Sequence, residues 1–378
     1  MKNLLILGAS KRHAELLKNS TISSFITAID KDINAPGFNY CDAYAVRSIK
    51  DTAENFSYEH YGDTDGCVCI PDIGVKLQAE LNAKFKLKGI KPDTYDLVTN
   101  KHKFYNTMEQ NNRNVPKRYS WYNATYPAII KPVSSTGSQN IHLVGSAMDT
   151  VANINGQDYL IQEYIEGQNV SVDLIIQDGI VKRKVIQDRY TIYDDCFVDN
   201  IIISPSKYML KENFYLDCSL GFVAYDVAKA IGFTDGPLNV QFIVDKHNVP
   251  YVIEVNPRIS GPFGIECHTL STAHNWFEDI VNVALGNKIE QSMLPIKNKQ
   301  NVCITIGSDI DGIIEDIVFP EEIKDAKVIW FWKAKGDKVK AMKAVKDSVC
   351  HIYMEGGSYN SLFVKARSIV DNTKIITR

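Results

Sequence analysis

The sequence lacks a strong charge of either sign and any long hydrophobic run. Lysine and arginine total 42 against 45 for aspartate and glutamate, which leaves a formal charge of −3 over 378 residues. Nucleic-acid-binding proteins usually carry a basic patch, and a membrane helix needs about 18 consecutive apolar residues. The apolar run after Met1 is also too short for a secretory signal. We therefore expect small-molecule partners, no nucleic-acid or membrane partner, and a cytoplasmic location.

Several catalytic and metal-binding motifs are absent as well. The eight cysteines form no C-x-x-C pair and the eight histidines no H-E-x-x-H pair. Cys67-Val-Cys69 lies in an apolar run, where buried thiols are the expected role, and Glu266-Cys267-His268 is interpreted as a packed loop rather than a zinc site. After Gly8 only one of the three glycines of a dinucleotide fingerprint is present. This pattern disfavours a dehydrogenase.

The first 95 residues predict a small doubly wound domain. An apolar strand over residues 2–7, a helix to Leu17 and a second strand over residues 26–30 form a βαβ opening. A later strand over residues 68–72 leads into an amphipathic helix near residues 75–87. The loops after such strands meet at one edge of the sheet, where ligands commonly bind.

The most informative stretch runs from Gly236 to Gly261. Two β-branched runs flank a polar turn, which predicts an antiparallel hairpin. Gln241 lies in one strand, while Glu254 and Asn256 lie two residues apart in the other and so share a face. Three such oxygen donors suit Mg²⁺, and Arg258, on the same parity, carries a planar fork that matches a phosphate or acyl phosphate. Taken alone, these residues also fit a surface hairpin with a polar outer side.

Two lysines precede this hairpin at positions that a phosphate would explain. Lys101 opens a predicted helix, whose positive end disfavours a cation, and Lys131 ends a predicted strand. On spacing alone a solvated Lys101 is the favoured interpretation. Lys131 leads into a loop of small residues over 133–140, whose amides and hydroxyls can fold over phosphates. A flexible surface turn is the alternative for that loop.

A further predicted strand carries a polar pair between apolar residues. Gln162 and Glu163 interrupt an apolar run, and Tyr164 and Ile165 follow them. An adenine ring could take backbone hydrogen bonds there while Tyr164 and Ile165 pack beside it. The strand-end lysine with its loop, this strand and the hairpin thus follow one another along the chain.

This ordered set resembles the ATP-grasp superfamily. The tail of the chain is similar to the C-terminal domains of the carbamoyl-phosphate-synthase-like branch, which includes amino-acid ligases. The resemblance covers residues 1 to about 290. It implies an α/β fold with an N-terminal doubly wound, Rossmann-like domain (1–95), a two-lobed ATP-grasp domain (96–295, lid about 115–188) and a small C-terminal α+β domain (296–378).

The resemblance also assigns roles to individual residues. Lys101 and Lys131 match the lysines that hold the nucleotide phosphates, and Gln241, Glu254 and Asn256 match the metal ligands. Arg258 matches the cation that stabilises the transition state, so Arg258 and Lys131 are the expected catalytic pair. The expected nucleotide-binding residues are completed by the mobile phosphate loop, the adenine strand and a ribose position: Ser134, Ser135, Gly137, Ser138, Gln162, Glu163, Tyr164, Ile165 and Asn169. Three positions depart from the family pattern, because Asn100, Asn169 and Gln241 stand where carboxylates are common.

The implied activity is ATP-dependent ligation of a carboxylate to an amine, or to a thiol, through an acyl phosphate, with ADP and phosphate as products. The implied cofactors are ATP and Mg²⁺, with Mn²⁺ as a substitute, and a homodimer is the default assembly. Two alternatives stay open. One is a bicarbonate-activating relative of the carboxylase or carbamoyl-phosphate type, and the other is a nucleotide-binding regulator without turnover. The sequence names neither the carboxylate nor the amine.

Overall fold

The computed structural model describes residues 1–134, 137–153, 158–192, 196–209, 214–272, 274–292 and 300–378, without the side chains of 151–153 and 214–218. Within these residues the chain is a mixed α/β structure with four sheets, which confirms the predicted fold class. No helix in the described ranges is long and apolar enough to cross a membrane.

The N-terminal sheet is parallel and buried. Its strands are β1 (Asn3–Leu7), β2 (Phe25–Asp30), β3 (Ala43–Val46) and β4 (Gly66–Cys69), in the order β3-β2-β1-β4. The helices α1 (Lys11–Lys18), α2 (Tyr58–Tyr61) and α3 (Val75–Lys84) accompany it. Continuous apolar strands are what a sheet covered on both faces requires. The carboxyl ends of β1 and β4 deliver the loops after Leu7 and Cys69 to one edge of the sheet.

Two helices and a small antiparallel sheet follow. The helices are α4 (Pro92–Thr99) and α5 (Lys101–Gln110). The sheet contains β5 (Arg118–Tyr119), β6 (Ala128–Pro132), β7 (His142–Val144) and β8 (Tyr159–Glu163), in the order β5-β8-β6-β7, and α6 (Ala147–Asn153) lies between β7 and β8 in the chain. The side chain of Asn100 caps α5 by accepting from the Lys103 N–H, so this helix begins where the sequence predicts.

The largest sheet has eight strands and is antiparallel throughout. Its members are β9 (Gly167–Gln177), β10 (Ile180–Tyr190), β11 (Ile201–Ser204), β12 (Gly236–Asp245), β13 (Pro250–Asn256), β14 (Asn301–Ile306), β16 (Val328–Phe331) and β18 (Cys350–Glu355). The spatial order is β13-β12-β9-β10-β11-β14-β18-β16. The helices α7 (Phe214–Ala230), α8 (Gly264–Thr272), α9 (Trp276–Ala284) and α10 (Tyr359–Asn372) join these strands, and β15 (Gly312–Val318), β17 (Lys338–Val339) and β19 (Lys374–Thr377) form a third antiparallel sheet.

The large sheet crosses the predicted boundary between residues 295 and 296. β14 pairs directly with β11, and β18 and β16 continue from β14. The division at that point stays a prediction, and the strands on its two sides share one hydrogen-bonded sheet. Two helices, α8 and α9, follow the hairpin. Glu266, Cys267 and His268 lie in α8 rather than in the expected loop.

Candidate active site

The predicted hairpin consists of β12 and β13, and its register brings polar residues into two rows. Gln241 pairs with Glu254, and Asn239 pairs with Asn256. Register partners on antiparallel strands point to the same face. We call these four residues the hairpin wall. It offers one carboxylate and three side-chain amides on a single surface.

A β-bulge in the hairpin sets which side chains face this surface. Gln241 pairs with Glu254 but Phe242 pairs with Val252, so Ile253 is an extra residue in β13. Val252 and Val255 are both in the hydrophobic core, although they are an odd number of positions apart, with two residues between them. The bulge therefore allows the strand to fill the core on both sides of Ile253 while Glu254 faces the opposite direction.

Lys101 and Lys131 are buried, at 8% and 5% exposure, and lie close enough to Glu254 to feel its charge. Burial lowers the pKa of Lys131 to about 8, against the opposing effect of the Glu254 carboxylate. Burial also lowers the pKa of Lys101, with Glu254 opposing the shift and Lys131 adding to it. The Lys101 N–H donates to the Val133 carbonyl over 3.1 Å, which joins the start of α5 to the end of β6. We call these two side chains the lysine wall.

Tyr105 connects the two walls. The Lys131 Nζ donates to the Tyr105 hydroxyl over 2.8 Å, and that hydroxyl donates to the Ile253 carbonyl over 2.6 Å. Tyr105 is fully buried, and burial raises the pKa of its hydroxyl. Because the acceptor is the bulge residue, one short hydrogen-bonded chain runs from the lysine wall to the hairpin.

Arg258 is paired with a carboxylate from the N-terminal sheet. Its Nε and Nη2 contact both oxygens of Asp72, with 2.7 Å between Nη2 and Oδ2. The pair is partly buried, with 20% of the Arg258 side chain exposed. Burial acts to lower the pKa of Arg258, but the carboxylates of Asp72, Glu254 and Asp173 together outweigh it and the net shift is upward. Arg258 stays a cation, with its fork already occupied by a carboxylate.

The expected adenine residues lie at the end of β8 and just beyond it. Gln162 is almost fully buried at 1% exposure, and its Nε2 has no hydrogen-bond partner among the described residues. Glu163 accepts from the Lys117 N–H, Ile165 is buried and Tyr164 is exposed. A buried donor without a partner is unfavourable in the protein alone, so the Gln162 position fits a missing ligand.

Part of the expected phosphate loop is described. Ser134 is exposed, and Ser135 lies outside the described residues. Gly137 and Ser138 have φ values of +67° and +59°, and the Ser138 hydroxyl donates to the Phe197 carbonyl over 2.8 Å. The Gly137 carbonyl accepts from the Val345 N–H at 3.2 Å. This half of the loop is therefore held by the protein itself.

Asn169 lies in β9, away from the loop in sequence. Its register partners are Ile243 in β12 and Arg189 in β10, and it is half-buried. The structure thus brings Lys101, Lys131 and Glu254 together. Arg258 lies close enough to Glu254 for that carboxylate to act to raise its pKa. It gives no direct contact between Asn169 and these residues.

The ATP-grasp domain family matches residues 98–262. These residues carry an ATP-grasp domain. The match begins just before α5, ends just after Gly261, and so includes both walls and Arg258. The N-terminal parallel sheet and the strands from β14 onward lie outside it.

Proteins similar to this chain were found in sequence and in structure. The carbamoyl phosphate synthase large chain of Methanocorpusculum labreanum is 21% identical over 281 residues, 59% of this chain and 26% of the relative, so the chain spans about a quarter of that protein. An L-amino acid ligase from Bacillus licheniformis superposes with a TM-score of 0.80 at 20% identity, covering 100% of this chain and 99% of the other. The biotin carboxylase domain of a Hydrogenobacter thermophilus 2-oxoglutarate carboxylase, solved with ADP, its magnesium salt and bicarbonate, superposes with a TM-score of 0.67 at 16% identity, covering 100% and 91%. These structural likenesses establish the fold.

Sequence reasoning did not single out four residues that the structure adds to the ATP-grasp domain and its border. They are Tyr105, Asp72, Asp173 and Asn239. Tyr105 stands four residues after Lys101 on a helix and Asn239 two before Gln241 on a strand, so periodicity could have found both. Asp173 is an acid within an apolar strand, a pattern that indicates a paired buried charge. The contact of Asp72 with Arg258 spans 186 residues, and no local pattern predicts it.

Proposed function

We propose that the chain is an ATP-dependent carboxylate–amine or carboxylate–thiol ligase that works through an acyl phosphate and releases ADP and phosphate. The observation that carries this proposal is the convergence of two buried lysines on Glu254 of the hairpin inside an ATP-grasp domain. Buried cations with lowered pKa values are costly unless an anion is bound. A triphosphate supplies that anion.

The nucleotide fits the lysine wall and the buried amide of Gln162. Lys101 and Lys131 would hold the phosphates, and the unpartnered Nε2 of Gln162 would donate to the base. The segment between β8 and β9, with exposed Tyr164 and buried Ile165, would border the base. In this proposal Ser134, Ser135, Gly137 and Ser138 cover the phosphates, Glu163 lies beside the base, and Asn169 stands at the ribose. The lid over residues 115–188 and the domain boundaries at 95 and 295 belong to the proposal as well.

A divalent cation fits the hairpin wall by the chemistry of its donors. The atoms of Gln241, Glu254 and Asn256 that can bind a cation are oxygens, which suits Mg²⁺ or Mn²⁺ together with phosphate oxygens. Among the described residues, no group of three or more histidine, cysteine, aspartate or glutamate side chains is placed to hold a metal ion. A single carboxylate makes a weak site without the nucleotide. When bound, Mg²⁺ would neutralise charge on the transferring phosphate.

The chemistry needs two displacements. A substrate carboxylate oxygen attacks the terminal phosphorus of ATP, and ADP leaves; an amine then attacks the acyl carbon, and phosphate leaves. The protein contributes position and charge rather than a nucleophile. Arg258 would stabilise negative charge on the transferring group, which requires its fork to turn from Asp72 to the substrate. Closure of the site would keep water from the acyl phosphate.

The bicarbonate-activating alternative would use the same first step with bicarbonate as the carboxylate, and the carbamoyl phosphate synthase relative favours keeping it in the test. The regulator alternative predicts nucleotide binding without turnover. The hairpin wall, Arg258 and both lysines are all present, which favours turnover.

Thermal melting with nucleotides is the first test. At about 100 times its Kd a ligand adds about 2.7 kcal/mol to the unfolding free energy, which raises the melting temperature by several degrees. We expect this rise with ATP and Mg²⁺ and a smaller one or none with NADH. A larger rise with NADH would contradict the proposal.

A product screen separates the alternatives. Pairs of carboxylic acids and amines, including amino acids, are incubated with ATP and Mg²⁺ and assayed for ADP and phosphate. A pair that depends on both substrates supports a ligase. Release that depends on bicarbonate alone supports the carboxylase type, and AMP with pyrophosphate rules out an acyl phosphate from the terminal phosphorus.

A further inference from the structure

A fully buried carboxylate lies next to the hairpin wall, and the proposed chemistry does not use it. Asp173 in β9 has no exposed surface. It is the register partner of Asn239, which in turn pairs with Asn256, so the three residues form a row across β9, β12 and β13. Its neighbour row contains Ser171, Gln241 and Glu254.

Asp173 accepts hydrogen bonds from three other residues. The Asn239 Nδ2 donates to its Oδ1 over 2.9 Å, and the Ser260 N–H donates to the same oxygen over 3.1 Å. The Ser260 hydroxyl and the His268 Nε2 contact its Oδ2, the latter at 2.6 Å. A backbone N–H can only donate, so the Oδ1 that the Ser260 N–H reaches is an acceptor. Asp173 is therefore an acceptor toward Asn239.

This acceptor fixes the direction of two amides in series. Because Asp173 only accepts, Asn239 must turn its Nδ2 toward it and its Oδ1 away. The Asn239 Oδ1 then accepts from the Gln241 Nε2, at 3.2 Å. The remaining oxygen of Gln241, Oε1, is the only atom of its amide that can bind a cation. Gln241 by itself would present oxygen or nitrogen with similar ease.

A second arm from Asp173 reaches the segment that carries Arg258. Ser260, held by its N–H and hydroxyl, lies two residues after Arg258, and the Asp173 charge also acts to raise the pKa of Arg258. The same carboxylate thus restrains both the hairpin wall and the turn beyond it.

We infer that Asp173 is a positioning residue that, through Asn239, orients the Gln241 amide with its Oε1 toward the cation. This inference rests on the proposed function, because it needs a divalent cation at the hairpin wall. Residues that orient metal ligands typically contribute about 10–100-fold to metal affinity. We call these two hydrogen bonds in series the relay: each one fixes which end of the next amide donates and which accepts. Replacing a donor by an acceptor at one position therefore provides a specific test.

The measurement is the affinity of the full chain for Mn²⁺ in the presence of saturating ADP, followed by the electron paramagnetic resonance signal of free Mn²⁺. Asn239→Leu breaks the relay and leaves Asp173 with Ser260 and His268, and we expect affinity to fall about tenfold. Asp173→Asn replaces the charged acceptor by a neutral amide that can turn either way, and we expect a smaller loss from it. Asn239→Leu tests the same link if Asp173→Asn fails to fold.

A double variant distinguishes the relay from charge. In Gln241→Glu the new carboxylate can only accept, so it opposes the Oδ1 of Asn239 while Asp173 holds that amide. Asn239→Leu with Gln241→Glu removes the opposing oxygen and leaves every carboxylate in place. The relay predicts that this double variant binds Mn²⁺ more tightly than Gln241→Glu alone. Charge alone predicts equal affinity, because the two variants carry the same carboxylates, and equal affinity overturns the relay.

Asp188 provides a matched control. It is a buried aspartate in the adjacent strand β10, and it accepts from the Ser206 hydroxyl, the Lys207 N–H and the Tyr359 hydroxyl. Asp188→Asn removes a comparable carboxylate from the interior of the same sheet. We expect it to lower the melting temperature as Asp173→Asn does, with Mn²⁺ affinity within twofold of wild type.

The outcomes separate the two levels of the argument. If the wild-type chain with ADP binds no more Mn²⁺ than ADP alone, the proposed cation site fails and the inference fails with it. If wild type binds Mn²⁺ but Asp173→Asn and Asn239→Leu bind it equally well, the positioning role is wrong while the ligase proposal stands. A double variant that binds more weakly than Gln241→Glu alone also overturns the relay.

Discussion

The hairpin wall and the lysine wall face the same cleft but are built in opposite ways. The hairpin wall is backed by buried hydrogen bonds that run from Gln241 through Asn239 to Asp173. The lysine wall places two ammonium groups in a buried environment that lowers the pKa of both. The Gln241 amide is held by a chain of hydrogen bonds, whereas burial opposes the charge of both lysines.

This difference indicates a division of labour. A preorganised polar surface costs no rearrangement when charge develops during the reaction, so it suits the transition state. Desolvated cations gain most from an anion that is already charged in the ground state, so they suit binding. We therefore expect changes in the hairpin to affect turnover and changes in the lysines to affect nucleotide affinity.

The largest expected effect is on turnover from the hairpin side. Glu254→Gln and Arg258→Ala should lower kcat by about 10²–10³, because each removes an electrostatic contact to the transferring group. Both side chains lie at the cleft rather than in the core, so melting temperatures without ligand should stay within about two degrees of wild type. Steady-state rates of ADP formation and thermal melting provide the measurements.

Two results would contradict the roles expected for Glu254 and Arg258. Arg258→Ala with more than about a tenth of wild-type turnover would remove Arg258 as the catalytic cation. Unfolding of Glu254→Gln would make the hairpin wall a structural element.

Lys131→Met should have a smaller effect, on nucleotide affinity rather than on turnover. Removing a buried ammonium with a lowered pKa should leave the melting temperature of the free protein unchanged or raise it. The KM for ATP should rise strongly, because the phosphates lose a cation that they contact in the ground state. Lys131→Arg, which keeps the charge, is the control for affinity. A destabilised free protein with normal KM would show that Lys131 is structural.

The smallest expected effect is a dependence on pH near 8. Since the pKa of Lys131 in the free protein is about 8, ATP affinity should fall as the pH rises through that value. Stability of the free protein should change in the opposite direction: from pH 8 toward the ordinary lysine pKa the unfolded chain binds more protons, so this group's contribution to stability increases. Titrating ATP between pH 7 and about 9 checks the first point, and Lys131→Arg should show a flatter profile.

The sequence predicted the parts of the molecule that depend on local pattern. The hairpin, the opening βαβ unit and the lysines at the ends of their elements follow from β-branched runs, apolar spacing and breaks at glycine. The ion pair between Asp72 and Arg258 joins segments that follow strands of two different sheets, and the relay from Asp173 depends on strands that are neighbours only in the folded sheet. Local periodicity carries no information about which strands become neighbours, so these partners needed the structure.

Ile253 is not itself a proposed metal ligand, yet it determines which side chains of β13 lie at the proposed metal site. Counted from Val252, strict alternation along β13 would place Val255 outside the core, yet it is buried there. The extra residue acts as a phase shift in the strand: the pattern before it and the pattern after it are each regular but differ by one step. Without the extra residue, β13 could keep both valines in the core or keep Glu254 and Asn256 on the hairpin wall, but not both. The freed carbonyl of Ile253 is also the acceptor for Tyr105, so the phase shift and the link between the walls have the same origin.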